Sequence, residues 1–138
     1  FSFTKTGSFF CQCFGDYLMV KSQFMNAKRL CYACDLVDNP KLIEEYKNYH
    51  TGDNVRPEIN KSIKDSGIID MEIYILANRL FMIMEVDETF SPERKQMMDA
   101  TNPHVQEWEK LMWQFQQAPP GAKDGEKWLP MEQIYKLR

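Results

Sequence analysis

The sequence predicts an α+β domain, a ferredoxin-like β-α-β-β-α-β sandwich, on three observations. Two runs rich in Ile, Tyr, Phe and Val, Ile68 to Leu76 and Arg79 to Asp87, are separated only by Ala77-Asn78. A two-residue spacing of that kind marks a tight antiparallel hairpin. A helical block precedes the hairpin and another follows it, each split in two by a proline at a helix-start position. A further apolar run lies at either end, Arg29 to Val37 and Trp128 to Leu137. Four strands with helices after the first and third give this architecture.

Each element has its own signal. Arg29 to Val37 reads as a strand that ends at Asp38-Asn39-Pro40, a turn and helix-start signal. Asn39 suits an N-cap, and Pro40 suits the first helical position, where its missing N–H costs nothing. Lys41 to His50 then places Leu42, Tyr46 and Tyr49/His50 on one helical stripe. Gly52 interrupts, and Pro57-Glu58 opens a second helix with Ile59 and Ile63 on one face, stopped at Gly67. In the hairpin, Asn78 is the residue expected to tolerate a left-handed backbone. Ser91-Pro92-Glu93 starts a third helix. Thr101-Asn102-Pro103 starts a fourth, which carries Val105, Trp108, Leu111/Met112 and Phe115 on one face. Ala118 to Lys127 holds Pro119, Pro120, Gly121 and Gly125 and reads as a loop, and Trp128 to Leu137 as the fourth strand. Helices cover one face of such a sheet. The other face is left open and apolar, so pairing of two subunits through it is expected.

Residues 1 to 27 do not share this pattern. Phe1, Phe3, Phe9, Phe10, Phe14, Tyr17 and Phe24 follow neither a 2-residue nor a 3.6-residue period. Lys5 ahead of Ser8-Phe9-Phe10-Cys11 hints at a signal peptide, but Gln12, Gly15 and Asp16 cut the apolar run short. The expectation is an irregular extension outside the native domain, such as an upstream read-through ahead of Met19 or Met25, with the working domain over residues 28–138.

Composition excludes several classes. The 138 residues carry 17 basic and 20 acidic side chains, without the basic excess of a general nucleic-acid binder. Asp70, Glu72, Asn78, Arg79 and Glu85 break the most apolar region, so no membrane-spanning helix is expected. Cys11, Cys13, Cys31 and Cys34 cluster at one end, unlike a secreted disulfide framework, and a cytoplasmic protein is expected. Cys31-Tyr32-Ala33-Cys34 lies within a predicted strand, where a period of two sends its cysteines to opposite faces. Small core residues explain it better than a metal or redox site. No Gly-rich nucleotide loop, H-E-x-x-H or nucleophile elbow is present.

The best chemical pair is Tyr46 and His50, which share a helix face at i, i+4. Together they offer a proton donor and acceptor near neutral pH beside an aromatic wall. A histidine ending a core helix over a packed tyrosine is the plainer reading. Trp108 lies on the apolar stripe of the last helix and Trp113 on the opposite side; a tryptophan at a pocket mouth can stack on a sugar. Asp70 and Glu72 share one strand face, and Glu72 is expected near Glu85 across the hairpin. These carboxylates are either solvated edge charges or hydroxyl acceptors, with Glu85 a candidate base. His104 has no evident partner.

Glu44-Glu45-Tyr46-Lys47-Asn48-Tyr49-His50, followed by Arg56-Pro57-Glu58-Ile59, resembles the L-rhamnose mutarotase family. That family's pattern is E-E-Y-x-x-x-H and then W-P-E-[IL]. The resemblance continues through Ile73-Tyr74, Phe81, Glu85 and Glu107-Trp108-Glu109-Lys110-Leu111-Met112. Glu126-Lys127-Trp128 and Met131-Glu132-Gln133-Ile134-Tyr135-Lys136-Leu137 are similar to the branch found with L-fucose metabolism. The resemblance implies a homodimeric α/β barrel of ferredoxin-like subunits that interconverts the anomers of a 6-deoxy sugar without a cofactor or metal. It makes His50 the proton donor and Tyr46 and Trp108 sugar-binding residues. Met71, Glu109 and Arg56 stand where the family has aromatic residues, which leaves the sugar open between L-rhamnose and L-fucose. The competing readings are a cofactor-free oxygenase on the same barrel, detectable by oxygen uptake, and a non-catalytic sugar-binding module, which would be stabilised by sugar without exchanging its anomers.

Overall fold

A computed structural model describes residues 26–138. The expected irregular stretch over residues 1–27, with Cys11 and Cys13, lies outside these residues except for its last two positions. The elements are β1 (Lys28–Leu36), α1 (Pro40–Tyr49), a 3-10 turn (Gly52–Asn54), α2 (Pro57–Asp65), β2 (Ile68–Leu76), β3 (Arg79–Val86), α3 (Pro92–Ala100), α4 (Pro103–Met112), β4 (Gln116–Gln117) and β5 (Leu129–Pro130).

Local chemistry accounts for the helix starts. Asn39 Oδ1 accepts from the backbone N–H of Lys41 and Leu42, and Ser91 Oγ accepts from Arg94 N. Asn102 Oδ1 accepts from His104 N. Each cap is followed by proline at N1. The end of α2 is held from a distance: the Arg94 guanidinium donates to the carbonyls of Asp65 and Ser66, which no intrahelical N–H can reach.

The sheet order is β2-β3-β1-β4, all antiparallel to their neighbours, with β5 also pairing β1. Asp35 opposes Arg79 in the β1–β3 register. Arg79 donates to both oxygens of Asp35, at 2.8 and 3.2 Å, and a two-pronged contact of this kind pins the register.

Period-two alternation sends Tyr32, Cys34, Leu36, Leu80, Met82 and Met84 to the helix side. Cys34, Leu36 and Leu80 pack there with Tyr46, Met112 and Phe115, and Ile68, Met84 and Val86 form a second cluster. Burying a Leu such as Leu36 or Leu80 contributes about 1.5–3 kcal/mol.

Three sequence expectations are corrected. The fourth strand does not run from Trp128 to Leu137: only Leu129–Pro130 pairs, and Gln116–Gln117 forms a second short piece. Pro130 has no N–H to give the ladder, Met131 N–H makes a last bond to Cys31 O at 2.8 Å, and Ile134, Tyr135 and Leu137 beyond it are exposed. In the hairpin, Ala77 takes the left-handed backbone (φ 53), while Asn78 Nδ2 donates to Leu36 O. Asp70, not Glu72, faces Glu85, because the two-residue turn pairs Leu76 with Arg79 and that register runs unbroken to Asp70, where the irregularity begins.

Candidate functional site

The last turn of α1 builds the centre of the site. His50 is the C-cap, and its N–H bonds back to Lys47 O at 3.0 Å. That tightened turn leaves the Tyr46 carbonyl, four residues back, without its usual backbone donor. The His50 ring folds over it, with Nδ1 2.8 Å from Tyr46 O. A carbonyl only accepts, so Nδ1 carries the hydrogen, and the neutral ring presents Nε2 as a lone pair.

The aromatic walls follow from helix spacing. The Tyr46 ring centroid lies 4.4 Å from that of His50. Trp108, from α4, stands edge-on to His50 at 5.4 Å and to Tyr49 at 6.3 Å. The Arg56 guanidinium covers a Trp108 ring at 5.3 Å, within cation–π range.

Sheet and helices line an open cavity of about 980 Å³. Tyr46, His50 and Trp108 all line it, as do Tyr32, Met82 and Met84 from the sheet. The three departures from the family pattern, Met71, Arg56 and Glu109, also line it. Those differences therefore fall where a ligand would be recognised.

Protonation follows from the same placement. The His50 ring opens onto the cavity and touches solvent, yet the surrounding walls displace enough water to lower its pKa. The bond to Tyr46 O opposes that shift without cancelling it. Burial drives the Tyr46 phenol well above its usual value, against the Gln116 hydrogen bond, so the phenol stays neutral. Gln116 Nε2 donates to Tyr46 Oη at 3.3 Å, leaving the phenolic hydrogen available to another acceptor.

Other sequence candidates lie elsewhere. Glu85 pairs with Arg29 at 2.7 Å, and Glu72 accepts from the Tyr74 hydroxyl. Neither they nor Asp70 lines the cavity, which removes Glu85 as a candidate base. Cys34 is fully buried, its thiol pushed up to about 12 by desolvation, which suits packing rather than nucleophilic work. Trp113 lies off the cavity, beneath the Lys127 ammonium. Gln116, Lys127 and Trp128 also line the cavity; the sequence drew attention to Lys127-Trp128 only through the family resemblance and marked none of the three as a site residue. They arrive from the irregular chain after α4, where no periodicity announces them.

Residues 29–137 match the family model described as L-rhamnose mutarotase. The chain is 42% identical over 113 residues to an L-fucose mutarotase of Xanthomonas campestris pv. campestris, covering 82% of this chain and 90% of that protein. It is 40% identical over 114 residues to a UPF0734 protein of Dictyostelium discoideum, covering 80% and 90%. Among solved structures, an L-rhamnose mutarotase from Formosa agariphila superposes with a TM-score of 0.58 at 25% identity, over 80% of this chain and 99% of that one.

Proposed function

This chain belongs to the L-rhamnose mutarotase family, and from that premise we propose that it interconverts the α and β anomers of a 6-deoxy-L-hexose. His50 is the acid–base group, and Tyr46 and Trp108 hold the sugar. The observation that carries this reading is His50 itself: Nδ1 is tied to Tyr46 O, so the neutral ring faces the cavity as a base beside Trp108.

Mutarotation moves one proton and breaks one bond. The anomeric hydroxyl must lose its hydrogen, the ring oxygen must gain one, and the C1–O5 bond opens to an aldehyde. After rotation about C1–C2 the reverse steps close the ring on the other face. His50 Nε2 takes the anomeric proton, and the resulting imidazolium delivers it to the ring oxygen. The role of donor thus belongs to the second half of the step. Positioned acid–base catalysis contributes about 10²–10⁴-fold. Only proton transfers are required, and Tyr46, neutral and with its hydrogen free, suits donation to a sugar oxygen. Trp108 suits the apolar face of the sugar.

The identity to the L-fucose enzyme and the cavity positions of Met71, Glu109 and Arg56 favour L-fucose over L-rhamnose as substrate. Neither the oxygenase nor the non-catalytic reading is favoured by the family. We further propose a homodimer joined through the open sheet face and a cytoplasmic setting. No helix among the described residues is long and apolar enough to cross a membrane.

Saturation-transfer NMR on L-fucose and L-rhamnose tests the activity. The wild type should speed anomer exchange, and His50→Ala, still folded, should lose roughly 10²-fold or more of that gain. An unaccelerated exchange on both sugars would overturn the assignment.

A further inference from the structure

Among the described residues, two buried side-chain polar atoms have no hydrogen-bond partner: Gln116 Oε1 and Lys127 Nζ. Both residues line the cavity that holds His50. Folded chains rarely leave such atoms unmatched, because each costs about 1–3 kcal/mol and a charged one more. Gln116 is 5% exposed and Lys127 8%, so both are withdrawn from bulk solvent.

Gln116 is committed at one point, while the Lys127 ammonium has a carboxylate beside it and the Trp113 ring 4.8 Å away. The Gln116 amide uses its nitrogen on Tyr46 Oη and leaves its oxygen unused. Lys127 Nζ lies 2.6 Å from Glu109 Oε2, which balances its charge without an aligned hydrogen bond to any group. An ammonium has three N–H donors. Glu109 follows Trp108 in α4, lines the same cavity, and keeps 43% of its side chain exposed. Residues that carry an amide oxygen, an ammonium and a carboxylate thus line one space beside an aromatic wall. Water alone is a poor reason to bury such a set, since apolar residues of the same size would serve the fold as well or better.

We propose that Gln116, Lys127 and Glu109 form the hydroxyl-binding half of the substrate site and hold two neighbouring ring hydroxyls of the sugar. The proposal rests on the mutarotase reading above and names the residues that recognise its substrate. The Gln116 oxygen accepts from one hydroxyl. Lys127 donates to the oxygen of the next, whose hydrogen goes to Glu109. These contacts exist before and during ring opening alike, so they set binding rather than the rate of the chemical step.

Anomer exchange should be measured against sugar concentration for the wild type, Gln116→Met and Lys127→Met, with L-fucose, L-rhamnose and the 2-, 3- and 4-deoxy forms of L-fucose. Each variant should raise KM for L-fucose roughly tenfold to a hundredfold, as expected for a lost hydrogen bond to a buried partner, with kcat within about threefold. The penalty should vanish with the deoxy sugar that lacks the contacted hydroxyl. Thermal unfolding should show midpoints equal to the wild type or higher, whereas a merely structural role predicts lower ones. Unchanged KM in both variants, or one equal penalty across all the sugars, overturns the proposal while leaving the mutarotase reading intact. A wild type inactive on both L-fucose and L-rhamnose overturns that reading and this proposal with it. If the methionine variants do not fold, the wild type decides: equal efficiency with every deoxy sugar overturns the hydroxyl contacts.

Discussion

His50 joins two demands on one ring. The cavity walls disfavour its cation, and the Tyr46 carbonyl fixes which nitrogen carries the hydrogen. Its pKa is therefore lowered from 6.5 in the folded protein. Activity that needs the neutral ring should hold through neutral pH and fall on an acid limb whose midpoint lies below 6.5. NMR titration of the ring in the free protein should give the same midpoint as kcat/KM; a midpoint at or above 6.5 would contradict the desolvated site. Stability carries the same sign. Between the lowered folded value and 6.5 the unfolded chain binds more protons, so His50 favours the fold above that window and loses its contribution as pH falls through it. The Tyr46–His50 pair was legible in the sequence because one helix fixes an i, i+4 relation whatever surrounds it. Trp108 was legible for the same reason, from its stripe on α4. Gln116 and Lys127 were not, because their approach depends on how the chain after α4 folds back across β1, and no local period encodes that path.

Elements announced by caps and turns agree with the sequence, whereas the one defined by composition alone does not. Asn39, Ser91 and Asn102 mark helix starts through their own hydrogen bonds, so they act without distant partners. The stretch from Trp128 to Leu137 has apolar strand-forming residues, but a strand also needs a neighbour's N–H and C=O, and pairing to β1 stops at Leu129–Pro130 and the Met131 N–H, which donates to Cys31 O. Gly67 shows a sequence signal with a second cause. It ends α2 as expected, at φ +94, and its α-carbon also sits against the chain after β3. A Cβ there would lie 2.6 Å from both Asp87 Oδ1 and Thr89 Oγ1 and 2.9 Å from Phe90 N. Gly52 has φ +55 with open space around it. Gly67→Ala should therefore destabilise by about 2 kcal/mol or more, and Gly52→Ala by about 1 kcal/mol, from backbone strain alone. Urea unfolding at unchanged m-value measures both. Equal losses would show that the packed contact at Gly67 carries no extra cost.

At the scale of the molecule, the two faces of the sheet have different surroundings. Helices and the cavity occupy one. The other, by strand alternation, presents Cys31, Ala33, Tyr74, Phe81 and Ile83 at its centre, with Tyr74 55% exposed. Charged pairs border this apolar area: Arg29 with Glu85 at one end and Asp35 with Arg79 at the other. An apolar centre with a polar rim is the anatomy of a protein interface, and a symmetric dimer lets the same patch cover itself. The sequence implied this face through its strand pattern, but the charged frame depends on the β1–β3 register, which side-chain order alone does not specify. Ile83 faces Cys31 across β1 and follows Phe81 on the same face of β3, with the exposed Glu72 on its β2 side, so it lies within the patch. Ile83→Asp would place a charge there that a second copy could not solvate, at a cost of several kcal/mol per buried ion. Sedimentation equilibrium at micromolar concentration should show a wild-type dimer and an Ile83→Asp monomer. The monomer should retain the His50 titration, because Ile83 and the cavity lie on opposite faces. A monomeric wild type, or a variant that stays dimeric, would exclude this face as the interface.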